Sequence, residues 1–102
     1  MDRIIRLKEF LLKEPKDSFL KHALALEYVK IQNYKDAKVL FEDILKTNED
    51  YIPSYYHLAK LLVQQNEIEK AVEIYNKGMV ECKKAGDNHA YSELQSALED
   101  LE

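Results

Sequence analysis

The sequence predicts an all-α fold, a solenoid of helical hairpins with about six antiparallel helices. Apolar residues recur at spacings of three and four, which is the period of an amphipathic helix. Residue types also return in one order at an offset of 34. Only two Gly and two Pro occur in 102 residues, too few for the turns of a sandwich, barrel or doubly wound sheet.

Residues 2–14 read as the first helix, stopped by Pro15. Residues 18–31 form the second, apolar almost all round through Phe19, Leu20, Ala23, Leu24, Leu26, Tyr28, Val29 and Ile31. A helix of that kind is either buried on both sides or presents an apolar groove. Asn33 can cap the third helix, 34–47, whose stripe is Ala37, Phe41, Ile44 and Leu45. The fourth, 53–65, carries Tyr55, Leu58, Ala59 and Leu62, and the fifth, 68–84, carries Ala71 and Tyr75. Gly86 supplies a left-handed stop, with Lys83 and Lys84 at the negative end of the fifth helix. The last helix, 87–101, has Ala90, Tyr91, Leu94, Ala97, Leu98 and Leu101 on one face and polar residues elsewhere, as the closing helix of a solenoid requires.

The repeat is carried by Leu24-Ala25 returning as Leu58-Ala59, Ala37 as Ala71, Phe41 as Tyr75, Tyr28 as Leu62 and Tyr34 as Ile68. The small residues 25, 37, 59 and 71 let paired helices approach closely. The first unit reads Leu24-Ala25-x2-Tyr28 then Ala37-x3-Phe41; the second reads Tyr55-x2-Leu58-Ala59-x2-Leu62 then Ala71-x3-Tyr75. Over residues 18–85 this resembles the tetratricopeptide repeat family. The resemblance implies a right-handed solenoid and a single domain over 1–102. Its parts would be a half-repeat helix (2–14), repeats at 18–51 and 52–85, and a capping helix (87–101). Lys21 departs from the family pattern where a large aromatic would stand, Gly78 replaces the usual Ala, and Glu49 and Lys83 replace the closing Pro.

The net charge of −4 argues against a nucleic-acid surface, which needs a basic stripe. Residues 1–51 hold ten basic and ten acidic side chains, and residues 52–102 hold five and nine. Cys82 is the one cysteine, so no intrachain disulfide forms and a cytoplasmic setting is expected. It reads as a small filler or a surface thiol. The start is charged and amphipathic, so neither a signal peptide nor a membrane span is expected.

The resemblance implies that the first helix of each repeat lines a concave groove for another protein or peptide, used by an adaptor or scaffold. By position, that groove takes Phe19, His22, Leu26, Val29 and Lys30 from the first repeat. Tyr56, Lys60, Val63 and Gln64 come from the second, and Ala90 and Leu94 from the last helix. One family subclass grips the C-terminal carboxylate of chaperone tails with Lys, Asn and Arg. The matching places here hold His22, Leu26, His57, Asp87 and Tyr91, so that basic clamp is not expected. The alternative reading is a self-assembling homodimer through the edge of the first helix, with Leu7 and Phe10 exposed on it. A minor alternative, a metal-dependent enzyme, rests on His22, His57 and His89 falling on successive first helices, without any zinc-ligand spacing. No catalytic residue, cofactor or metal is expected.

Overall fold

The computed structural model describes residues 2–101. Its helices are α1 (Asp2–Lys13), α2 (Ser18–Lys30), α3 (Tyr34–Thr47), α4 (Pro53–Gln64), α5 (Ile68–Ala85) and α6 (Asn88–Glu99), with no strand among the described residues. Packing divides the chain into two compact units, one running to Asn48 and the other from Glu49.

In the first unit, Pro15 follows α1, and Asp17 then opens α2 by accepting the Leu20 N–H at 3.0 Å. At the other end Gln32 takes φ 63°, the Asn33 N–H donates to the Tyr28 carbonyl at 2.8 Å, and the Gln32 N–H donates to Val29 at 3.0 Å. This paired closure ends the helix and places Asn33 to cap α3 through the Asp36 N–H. Ala25 of α2 and Ala37 of α3 have no exposed surface, and neither do Phe41 and Ile44 beside them. The hairpin therefore closes on small residues with a large aromatic at its centre. Asn48 donates to the Ser18 hydroxyl at 2.6 Å, tying the end of α3 to the start of α2.

Lys21 also finds a partner in this hairpin: its ammonium lies 2.6 Å from Asp43 Oδ2, and its side chain is only 12% exposed. An ion pair thus occupies the place of the expected aromatic. Ile4 and Leu7 of α1 join Ala23 and Leu24 in a second cluster, with Tyr28 and Leu40 packed against it. Ile31, expected among the apolar residues of the second helix, instead caps it and is exposed.

In the second unit α4 starts with Pro53 in its first turn, where a missing N–H costs nothing. Asn66 repeats the Gln32 closure at φ 62°, and Gly86 does so at φ 71° after α5. Ala59, Ala71, Tyr75 and Cys82 are buried between the helices, so of the two readings of Cys82 the interior one holds. Burial pushes its thiol pKa up. At Gly78 of α5 the side chains of α4 and α6 leave no room for a Cβ, which would lie 2.7 Å from Tyr55 Cβ and 2.9 Å from Leu94 Cδ1. Tyr55 donates its hydroxyl to the Glu49 carbonyl at 2.6 Å.

Candidate functional site

Each unit carries its own candidate face. In the first, Phe19, His22, Leu26 and Lys30 stand on α2 at helical spacing, and the structure gathers them with Arg3, Ala23 and Glu27 around a cleft of about 340 Å³. Phe19 is 67% exposed, whereas His22 is buried with its ring edge-on to Phe41, centroids 5.6 Å apart. His22 is therefore a wall of the cleft rather than a free contact. Val29 is half-buried and does not line it.

Charge gathers at the rim. Glu27 accepts from the Lys30 ammonium at 3.1 Å and lies 3.3 Å from Arg3 Nε. The Lys30 hydrogen bond, with help from Arg3, holds the Glu27 carboxyl below the usual carboxylate range. Two cations on one anion leave the rim net positive above an apolar floor of Phe19, Ala23 and Leu26. Arg3, Ala23 and Glu27 were not among the groove residues expected from the sequence. The Glu27/Lys30 spacing was legible as a helical ion pair, but nothing in the sequence brought Arg3 to it.

In the second unit the cleft is about 380 Å³ and its character is opposite. Tyr56 of α4 lines it with His89, Ser92, Glu93 and Ser96 of α6 and with Asp100, which caps that helix. Lys60 sits 5.6 Å from the Tyr56 ring centroid, outside the lining, as do Val63 and Gln64. His89 Nε2 lies 3.8 Å from Glu93 Oε1, and both side chains are largely exposed. Burial pushes the His57 pKa down, and neighbouring Lys60 pushes it the same way.

Leu94 is corrected: it is 2% exposed, buried in the core beside Gly78. The physical reason is register. Tyr91-x2-Leu94-x3-Leu98 repeats Tyr55-x2-Leu58-x3-Leu62 at an offset of 36 rather than 34: α5 runs for 18 residues where α3 runs for 14, and the shorter connection to α6 takes back part of that gain. Two residues of shift turn Leu94 inward and bring Ser92 and Ser96 to the places assigned to Ala90 and Leu94. The motif Tyr-x2-Leu was the signal that could have found them.

Leu7 is corrected as well. It is 6% exposed and packs toward α2, so it offers no open edge, while Phe10 is 54% exposed. No group of three or more His, Cys, Asp or Glu among the described residues could hold a metal ion. No helix among them is long and apolar enough to cross a membrane.

The tetratricopeptide repeat model matches residues 29–98, more than half of the chain. The chain belongs to the tetratricopeptide repeat family. A tetratricopeptide repeat domain protein from Salinibacter ruber, solved by NMR, is 36% identical at a TM-score of 0.83, covering 86% of this chain and 89% of that one. A crystal structure of a Salinibacter ruber tetratricopeptide repeat domain protein is 37% identical at 0.79, covering 84% and 99%. The TPR2B domain of yeast Sti1, solved as a pHsp70 complex, reaches 0.87 at 13% identity, covering 93% and 76%, a likeness of fold alone. A comparison with curated proteins gives no match. The tetratricopeptide repeat fold is in general a protein–protein interaction module, and the all-α helical solenoid expected from the 34-residue period is the architecture these neighbours share.

Proposed function

We infer that the chain is a protein-binding adaptor that holds an extended segment or helix of a partner, anchored chiefly in the α2 cleft of its first unit. The observation that carries this reading is Phe19. A large aromatic left 67% exposed beside a preformed apolar cleft is costly in water and useful in contact. The floor suits one apolar side chain, and the positive rim of Arg3 and Lys30 suits a carboxylate next to it. Tyr56 and the hydroxyls of Ser92 and Ser96 give the second unit a polar face for hydrogen-bonded contact.

The Sti1 neighbour in its pHsp70 complex supports a protein or peptide as the kind of partner. The sequence placed a chaperone-tail clamp at His22, Leu26, His57, Asp87 and Tyr91, and the two-residue shift before α6 moves the last two to His89 and Glu93. No Lys or Arg stands at any of these positions.

The test is affinity recovery from source-cell lysate with wild type, Leu26→Glu and Tyr56→Ala as baits, each checked for helical circular dichroism and melting. Loss of a protein from the folded Leu26→Glu bait supports the α2 cleft, with a smaller loss expected for Tyr56→Ala. Identical recovery by all three baits rejects the reading.

A further inference from the structure

One side of α1 carries apolar surface that the packing of its unit leaves uncovered. Ile4 and Leu7 turn inward, while Ile5 is 54% and Leu12 is 84% exposed. Ile5 and Leu12 are seven residues apart, about two turns, so both lie on one side of the helix with Lys8 and Glu9 between them. Phe10 falls on the opposite flank. The stripe opens on a groove of about 610 Å³ closed by Leu11 and Leu40, both half-buried. The ammonium of Lys21, at its edge, is already held by Asp43.

We propose that this side of α1 is where two copies of the chain meet as a symmetric dimer. The stripe runs apolar, basic, acidic, apolar, and reads as its own complement when reversed. With a second α1 crossing antiparallel about the point between Lys8 and Glu9, each Ile5 meets the other copy's Leu12. Each Lys8 then meets the other copy's Glu9. A parallel crossing sets Lys8 on Lys8 and Glu9 on Glu9, so the charges select the two-fold arrangement and disfavour the other. That is the isologous contact of a closed dimer, in which one patch serves both subunits. In the single chain the Lys8 ammonium rests 5.9 Å from the ring centroid of the half-buried Tyr28, a contact that a facing carboxylate replaces. No residue of this stripe lines the α2 cleft, so the dimer and the adaptor reading stand or fall separately.

Sedimentation equilibrium of the full chain over a wide concentration range tests this. Wild type is expected to pass reversibly from 12.0 kDa to twice that mass. Leu12→Glu is expected to stay monomeric with unchanged helical circular dichroism, since its side chain lies outside the core. Lys8→Glu alone weakens the dimer about tenfold, because symmetry counts the change twice, and Lys8→Glu/Glu9→Lys recovers most of that loss. A wild type that is monomeric at every concentration overturns the proposal and leaves the groove to a different protein. A dimer that survives Leu12→Glu places the contact on another surface. A double variant no tighter than Lys8→Glu rejects the antiparallel register.

Discussion

Gln32 holds φ 63° at the end of α2, a conformation that costs a residue with a Cβ about 1–2 kcal/mol. The closure it makes is the one Gly86 makes after α5, where glycine meets no such penalty. Gln32→Gly removes the strain and loses some of it again to the entropy of a freer unfolded chain. The net expectation is a gain of about 0.5–1 kcal/mol, read as a rise of several degrees in melting temperature. Asn66→Gly at φ 62° should gain less, because Asn tolerates the left-handed region. Gly78 has the opposite logic. Alanine is worth about 1 kcal/mol more than glycine inside a helix, yet here its Cβ would lie 2.7 Å from Tyr55 Cβ, an atom fixed to the α4 backbone. The clash outweighs the propensity, and Gly78→Ala should lower stability by about 1–3 kcal/mol in a denaturant titration.

At the scale of the element, what was legible in the sequence was whatever repeats with the helical period. Ala25, Ala37, Ala59 and Ala71 were identified as crossing points from spacing alone, and all four have no exposed surface. Replacing Ala37 with Leu should therefore overpack the α2–α3 contact at a cost of about 1–3 kcal/mol. A folded variant of unchanged melting temperature would remove Ala37 from that crossing. The candidate site was harder to read because it depends on rotations that a fixed offset hides. The longer α5, offset in part by the shorter connection after it, advances the register before α6 and exchanges Leu94 for Ser92 and Ser96 on the second cleft. Likewise α1 turns Leu7 inward and Ile5 and Leu12 outward, a choice made by packing against Ala23 and Leu24. Lys21 escaped for a third reason. Its charge is matched by Asp43, 22 residues away, and no local pattern announces such a pair.

For the whole molecule, the groups displaced from their ordinary pKa values set how stability changes with pH. Glu27 is held low by Lys30 and Arg3, so its contribution is complete above the ordinary carboxylate range and fades as acid protonates it. Its exposed ion pairs make that contribution small. His57 is also lowered, chiefly by burial, so the fold favours its neutral form. Stability should begin to fall as pH drops below about 6.5, where the unfolded histidine takes up its proton first. Tyr55 works from the alkaline side. Burial, reinforced by nearby Glu81 and Glu49, pushes its hydroxyl up to about 12, while the unfolded tyrosine titrates near its ordinary 10.0. Between those limits the folded chain binds the proton and the unfolded chain does not, so raising the pH favours unfolding. The stabilising contribution is complete below pH 10 and is lost on passing through 12. Tyr55→Phe has no proton to lose and should flatten the stability curve across that window. At neutral pH it should cost about 1 kcal/mol for the hydrogen bond to the Glu49 carbonyl. Urea titrations of both proteins from neutral pH to pH 11 check both parts. An alkaline slope as steep in Tyr55→Phe as in wild type would assign the loss to some other group.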